Sequence, residues 1–208
     1  MDIQELRTKL EKELGAKLIS ARILLGRMRV IEERSRRTFA YTDDTYTPFY
    51  YHLGKHIHPK SLLKIGFRLG LLSGCFLKSC RSVETFLGFQ EKEDEYFSPR
   101  MGVANIKDAY PNPRAVDVHV GDFMDVDFTK ALQATKWDMV MFNEETTHDK
   151  MRLHMDMVWP HVEEGGLIVV EYVNFHQPTG DVFRDFCKVQ GREPTVVNTR
   201  YGVGLIER

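Results

Sequence analysis

Cysteine is scarce in this chain: three residues among 208, Cys75, Cys80 and Cys187, an odd number without a C-x-x-C pair. That excludes a disulfide framework or a cysteine-rich zinc site as the organising device, and the thiols read as reduced core residues. Long apolar runs are missing as well. None approaches the roughly 18 residues of a membrane span, and Met1-Asp2 starts no signal-peptide pattern. Net charge is nearly absent, with 29 Lys and Arg against 30 Asp and Glu, for -1 overall. A chain so balanced is no general polyanion binder, so nucleic acid is not an expected partner. Internal repeats and low-complexity tracts are lacking too. The expected setting is cytoplasmic with no membrane partner, and 42% hydrophobic content over this length suffices for one sizeable core.

What charge there is lies unevenly. Residues 1–40 hold ten Lys and Arg against six Asp and Glu, or +4, which leaves the remainder at -5. Within that segment Ile3, Leu6, Leu10, Leu14, Leu18, Ala21, Leu25, Met28 and Ile31 recur every three or four residues. The spacing predicts one long amphipathic helix of about eight turns, interrupted only by Gly15 and Gly26, which mark kinks or close packing. Its stripe must lie on its own domain, on a second copy of the chain or on an assembly partner, through residues 3–31. The basic Arg34-Ser35-Arg36-Arg37 reads as a solvated end. Residues 40–48 read as a linker, so the expected organisation is residues 1–45 as helix and linker and residues 46–208 as the main domain. Thr47-Pro48 resembles an N-cap followed by proline, opening a short aromatic helix that stops before Pro59. Its Tyr50, Tyr51 and His52 either line a pocket or pack on the sheet.

The most informative stretch is Leu62-Leu63-Lys64-Ile65-Gly66-Phe67-Arg68-Leu69-Gly70-Leu71-Leu72-Ser73-Gly74. An apolar run, two glycines four apart and an apolar helical pattern read as a buried strand, a tight turn and a helix start. Glycine there permits positive φ and leaves room for a ligand beside the helix N-terminus. From this point strand-like and helix-like segments alternate. Further strands are expected at 82–89, 115–120, 137–142 and 167–173, with helices over 90–109, 127–134, 146–162 and 181–190. Two last strands, 195–198 and 202–207, are joined by Thr199-Arg200-Tyr201 alone, which predicts a closing hairpin. The implied architecture is α/β: a mostly parallel seven-stranded sheet between helices, ending in an antiparallel hairpin and preceded by the long N-terminal helix.

Motif order adds a resemblance. The 63–73 stretch, Val120-Gly121-Asp122-Phe123, Trp137-Asp138-Met139-Val140-Met141-Phe142-Asn143, the run from Pro160 to Val170 and Tyr201-Gly202-Val203-Gly204-Leu205-Ile206 resemble, in sequence order, the motifs of class I S-adenosylmethionine-dependent methyltransferases. The resemblance spans roughly residues 58–208 and implies a Rossmann-like methyltransferase fold with S-adenosylmethionine (SAM) as cofactor. By that resemblance Gly66, Gly70 and Ser73 border the methionine part, Gln90 and Glu91 the ribose, and Asp122 and Phe123 the adenine, with Asn143 ending the fourth strand. Asp122 reads equally as a turn residue capping the next helix. Three positions depart from the family pattern. Lys64 stands where many members have an acid, Gln90 where an acid takes the ribose diol, and Asn143 where the fourth strand ends in aspartate. Some relatives hold a divalent metal near strands four and five; Asn143, Glu144, Glu171 and Asn174 are the corresponding oxygens here, and no metal is assigned. His148 is the candidate general base, with Glu144 beside it as a second catalytic candidate.

Two functional readings stand at this point. One is methyl transfer to an oxygen or nitrogen of a small-molecule, saccharide or protein acceptor. The other is a catalytically degenerate methyltransferase-like domain serving in assembly through its N-terminal helix. A nicotinamide dinucleotide oxidoreductase is disfavoured because the third glycine of G-x-G-x-x-G is missing and the closing hairpin is foreign to that fold.

Overall fold

In a computed structural model of the chain, residues 2–17, 19–26, 43, 45–92, 98–109, 115–143 and 146–208 are described. Leu18, Met28 and Ile31 of the expected stripe, residues 34–37 and Glu144 lie outside them.

The apolar runs form seven strands: β1 (Ser61–Ile65), β2 (Thr85–Gln90), β3 (Ala115–Val120), β4 (Trp137–Phe142), β5 (Val162–Glu171), β6 (Thr195–Val197) and β7 (Val203–Glu207). They lie in the order β3-β2-β1-β4-β5-β7-β6. The pairs β1–β2, β1–β4, β2–β3 and β4–β5 are parallel, and β7 runs antiparallel to both β5 and β6. The expected closing hairpin is therefore present. Alternate residues of β1 enter different cores, as a doubly covered sheet requires. Leu62 joins one cluster with Phe86, Met139, Met141, Val169 and Leu205; Leu63 and Ile65 join another with Leu87, Phe89, Val140, Phe142 and Ile168.

The first cluster is roofed by α1 (Ile3–Gly15), α3 (Tyr46–His56), α4 (Leu71–Ser79) and α5 (Pro99–Ala109). The second is roofed by α6 (Val126–Gln133), α7 (His148–Val158) and α8 (Gln177–Val189). Close approach of α3 to α4 depends on Gly54, where a Cβ would stand 2.4 Å from Ser79 Oγ and 2.5 Å from the Phe76 carbonyl oxygen. Tyr50 and His52 are accordingly buried in packing.

Several boundaries differ from the sequence expectation: the strand expected at 82–89 is Thr85–Gln90, the helix expected over 90–109 is Pro99–Ala109, and four others have identifiable causes. The N-terminal stripe is divided: α1 stops at Gly15, Lys17 turns to φ +46°, and Ser20 caps a second short helix, α2 (Ala21–Leu25). Leu6, Leu10 and Leu14 are buried in the chain's own core, so this part of the stripe is laid on the domain itself. Helix α3 begins at Tyr46, ahead of the expected Thr47 cap, because Asp43 Oδ1 accepts from the Thr45 and Tyr46 N–H groups at 2.8 and 3.1 Å. Strand β5 starts at Val162, after a 3₁₀ turn (Trp159–His161), with a register shift between Trp137 and Met139 absorbing the Gly165-Gly166 segment. Helix α8 begins at Gln177, because Pro178 suits a first helical turn.

One contact ties α1 to α3. Glu13 Oε2 lies 3.0 Å from His52 Nδ1 and 3.1 Å from His56 Nε2, with Lys55 Nζ 3.9 Å from Oε1. Burial pushes the His52 imidazole below its ordinary 6.5, and the Glu13 carboxylate only partly offsets this. The unfolded chain therefore takes up this proton first. The stability from neutral His52 is whole above about 6.5 and is lost as pH falls through the lower folded value. Melting temperatures between about pH 8 and pH 5 should fall less steeply for His52→Phe than for the wild type; equal slopes would remove His52 as the cause.

Candidate functional site

The site is built at the carboxyl ends of β1, β2 and β4. Gly66 and Gly70 take φ +74° and +64°, and between them Arg68 takes +52° with an L side chain. Holding Arg68 in that region costs on the order of 1–2 kcal/mol. Its N–H donates to Gln90 Oε1 at 2.8 Å, so the β2-end glutamine clamps the strained residue. The turn is also tied to β2 through the Phe89 carbonyl oxygen, which accepts from Gly66 N at 3.0 Å and Phe67 N at 2.9 Å. Gly70 then N-caps α4, with no side chain capping that helix terminus.

Phe67 supports the turn from below. Its ring is buried and fills the space left by three glycines. A Cβ at Gly70, Gly88 or Gly102 would stand 3.0, 3.0 or 2.4 Å from it. At Gly70 a Cβ would also meet the Gly102 carbonyl oxygen at 2.9 Å. Gly70 is thus required by the chain's own packing as well as by its φ.

Two side-chain atoms at this turn are buried without a partner among the described residues: Ser73 Oγ, in the first turn of α4, and Asn143 Oδ1. Asn143 directly follows β4, and its N–H donates to the Ile65 carbonyl oxygen at 2.9 Å, which sets it beside Gly66. A buried polar atom left unpaired costs about 1–3 kcal/mol, so each is a place where a ligand atom is welcome.

Lys64, two residues before Gly66, is 2% exposed as a side chain and its Nζ lies 2.5 Å from Glu171 Oε1. Glu171, the last residue of β5, is fully buried and also accepts from the Tyr46 hydroxyl at 3.1 Å. Burial, and then the Glu171 charge, raise the Tyr46 hydroxyl well above its ordinary value, so it stays a donor. Removing one member of such a pair strands a buried charge, at roughly 3–5 kcal/mol. A lone lysine within Leu62-Leu63-Lys64-Ile65 signals that a buried partner must exist. From sequence, Glu171 is only a metal-ligand candidate. Among the described residues no group of three His, Cys, Asp or Glu side chains is arranged to hold a metal ion.

The remaining candidates divide. Asp122 Oδ1 accepts from Met124 N at 2.7 Å, closing the turn after β3, and its second oxygen is free of this bond. Phe123 gives its ring to the core: it is 3% exposed, 3.8 Å from the His154 ring and 5.0 Å from Phe89. Glu91 is ion-paired with Lys150 of α7. His148, half exposed, opens α7, with Nδ1 3.4 Å from Asp149 Oδ1. Beyond β5, Tyr172 (φ +64°), Tyr201 and an exposed Phe175 form an aromatic rim, with Tyr46 stacked on Tyr172 at 5.5 Å.

No protein-family model and no curated protein matches the sequence. Solved structures do match its shape. The O-methyltransferase TomG from Streptomyces achromogenes, involved in tomaymycin synthesis and solved in complex with SAM, is 16% identical. It aligns over 99% of this chain and 97% of its own, with a TM-score of 0.66. A putative caffeoyl-CoA O-methyltransferase from Staphylococcus aureus is 14% identical over 96% of this chain and 97% of that one, with a TM-score of 0.64. An O-methyltransferase from Bacillus cereus, in complex with SAH, is 13% identical over 97% and 91%, with a TM-score of 0.59. The chain has the class I methyltransferase fold. In that fold the site described above occupies the crevice outside the carboxyl ends of the strands, where open α/β sheets bind their ligands. No described helix is long and apolar enough to cross a membrane.

Proposed function

We propose that the chain is a SAM-dependent methyltransferase acting on an oxygen, with residues 1–45 as an N-terminal segment and residues 46–208 as the methyltransferase domain. The observation that carries this reading is the pair of orphaned buried atoms, Ser73 Oγ and Asn143 Oδ1, flanking the glycine turn. The uncapped N-terminus of α4 favours a carboxylate, such as that of the methionine part, and Ser73 donates beside it. Asn143 Oδ1 accepts from the ligand's ammonium. Gln90 keeps its amide N–H groups for the ribose hydroxyls while its oxygen holds Arg68, and the second Asp122 oxygen suits an exocyclic amine. Gln90 and Asn143 are amides in place of the expected carboxylates, Asp122 keeps its carboxylate, and the set fits the group. Phe123 and Glu91 are committed elsewhere and drop out of the set.

Bound there, SAM supplies an electrophilic methyl on a cationic sulfur. The chain's part is to hold the cofactor against the glycine turn and to accept the acceptor's proton as oxygen attacks. His148, exposed at the start of α7, takes that proton in this reading. The names of the solved structures similar in shape favour oxygen as the acceptor atom. The acceptor itself belongs to a small molecule, a saccharide or a protein side chain. The assembly alternative has less to rest on, because Leu6, Leu10 and Leu14 of the stripe are buried within the chain. Three buried free thiols accord with a cytoplasmic setting.

Calorimetric titration of the full-length protein with S-adenosylhomocysteine (SAH) tests the reading. Micromolar binding is expected. No heat and no thermal shift at millimolar ligand would reject it.

A further inference from the structure

The lysine in the first strand presents an electrostatic difficulty to the function proposed above, and the structure carries its remedy. SAM is cationic at both its ammonium and its sulfur, and Lys64 places a third cation two residues before Gly66. Register shows where that charge goes. Lys64 is paired with Met141, and Met141 with Val169. Side chains alternate along each strand, so Asn143 and Glu171 fall on the face that Lys64 occupies. The Lys64 ammonium therefore crosses β4 to reach Glu171 at 2.5 Å, while Asn143 Oδ1, just past the end of β4, is left without a partner among the described residues. Tyr46 donates to the other Glu171 oxygen from α3 and fixes the carboxylate from the far side.

We infer that Glu171 is a positioning residue which neutralises Lys64 and draws its ammonium off Asn143, so that the pocket accepts a cationic cofactor. Glu171 thereby sets the preference between the sulfonium and the thioether form. This rests on the methyltransferase reading. Without the Glu171 charge the ammonium loses its counter-ion, and Asn143 Oδ1, on the same face and without a partner among the described residues, becomes an acceptor for it. Lys64 would then occupy the ligand's acceptor and present an uncompensated charge to the sulfonium.

The experiment uses two ligands that differ by one methyl group and one charge. Dissociation constants for SAM and for SAH are measured on the full chain as wild type, Glu171→Gln, Lys64→Met and the double variant. In Glu171→Gln the affinity for SAM relative to SAH should fall on the order of tenfold. The double variant, with neither charge, should return the ratio to the wild-type value. A general structural role would weaken both ligands alike. Should Glu171→Gln not fold, Lys64→Met carries the test, because a stranded carboxylate moves the ratio toward SAM or leaves it in place. An unchanged ratio in folded Glu171→Gln, or a fall in the double variant or in Lys64→Met, overturns the inference. A wild-type protein that binds neither ligand overturns the functional reading itself, a result distinct from a flat ratio.

Discussion

Phe67→Ala should lower the unfolding free energy by about 3–5 kcal/mol and abolish SAH binding even under conditions where the variant stays folded. The stability part follows from a fully packed ring removed from a core that cannot collapse onto the gap. Around Phe67 stand Gly70, Gly88 and Gly102, which have no side chains to advance, and Phe86 at 5.7 Å between ring centroids. The binding part follows from position. Phe67 is the residue after Gly66, its N–H is bonded to β2, and its ring lies under Gly70. With the ring gone, the turn keeps its hydrogen bond to α5, from Asn105 Nδ2 to the Leu69 carbonyl oxygen, and loses the packing that sets its distance from the three glycines. Phe76→Ala is the matching control. Phe76 is equally buried, in the second turn of α4 and away from the glycine turn, so it should lose similar stability while the folded fraction still binds SAH. Urea denaturation gives the first quantity and calorimetry the second. If folded Phe67→Ala binds SAH as the wild type does, the turn does not depend on its prop.

The same geometry shows why a bulky substitution at Gly70 is a poor probe of binding. Its positive φ and the 2.9 Å approach of the Gly102 carbonyl oxygen mean that a side chain there attacks the fold before it meets any ligand.

The fold was legible because its signals are local. Five apolar runs of strand length, separated by helical periodicity, specify a parallel sheet, and a three-residue link between the last two runs specifies the hairpin. Where local signals mislead, the boundaries moved. Gln177-Pro178 reads as loop in isolation, yet proline is at home in the first turn of α8. Glu163-Glu164-Gly165-Gly166 falls between the helix expected to 162 and the strand expected from 167, yet it belongs to β5, kept in the sheet by a register shift. The site was half legible. The glycine turn, Ser73, Gln90 and Asn143 lie together at the carboxyl ends of the strands. The Lys64–Glu171 pair spans 107 positions, and no periodicity connects its members. A buried lysine announces that it has a partner; which of the 30 acidic residues that is, only the sheet order decides.

Ser73→Ala separates function from structure at this site because its two effects should have opposite signs. In the free protein Ser73 Oγ is fully buried and unbonded among the described residues. A helical serine commonly bonds back to the carbonyl four residues earlier. Here that carbonyl belongs to Leu69, and it already accepts from Asn105 Nδ2 at 2.8 Å. Replacing the hydroxyl by hydrogen removes an unsatisfied group and gains a little helix propensity. The ligand-free protein should therefore be unchanged or more stable, by up to about 1–3 kcal/mol. Binding should move the other way, since a lost hydrogen bond to a charged ligand group corresponds to a roughly tenfold or greater weakening for SAH. A serine kept only for packing predicts loss of stability with affinity intact. A serine kept for a ligand predicts a tighter fold and a weaker complex. The opposite signs follow from an atom whose partner arrives with the ligand, and thermal melts with and without SAH read both on one sample.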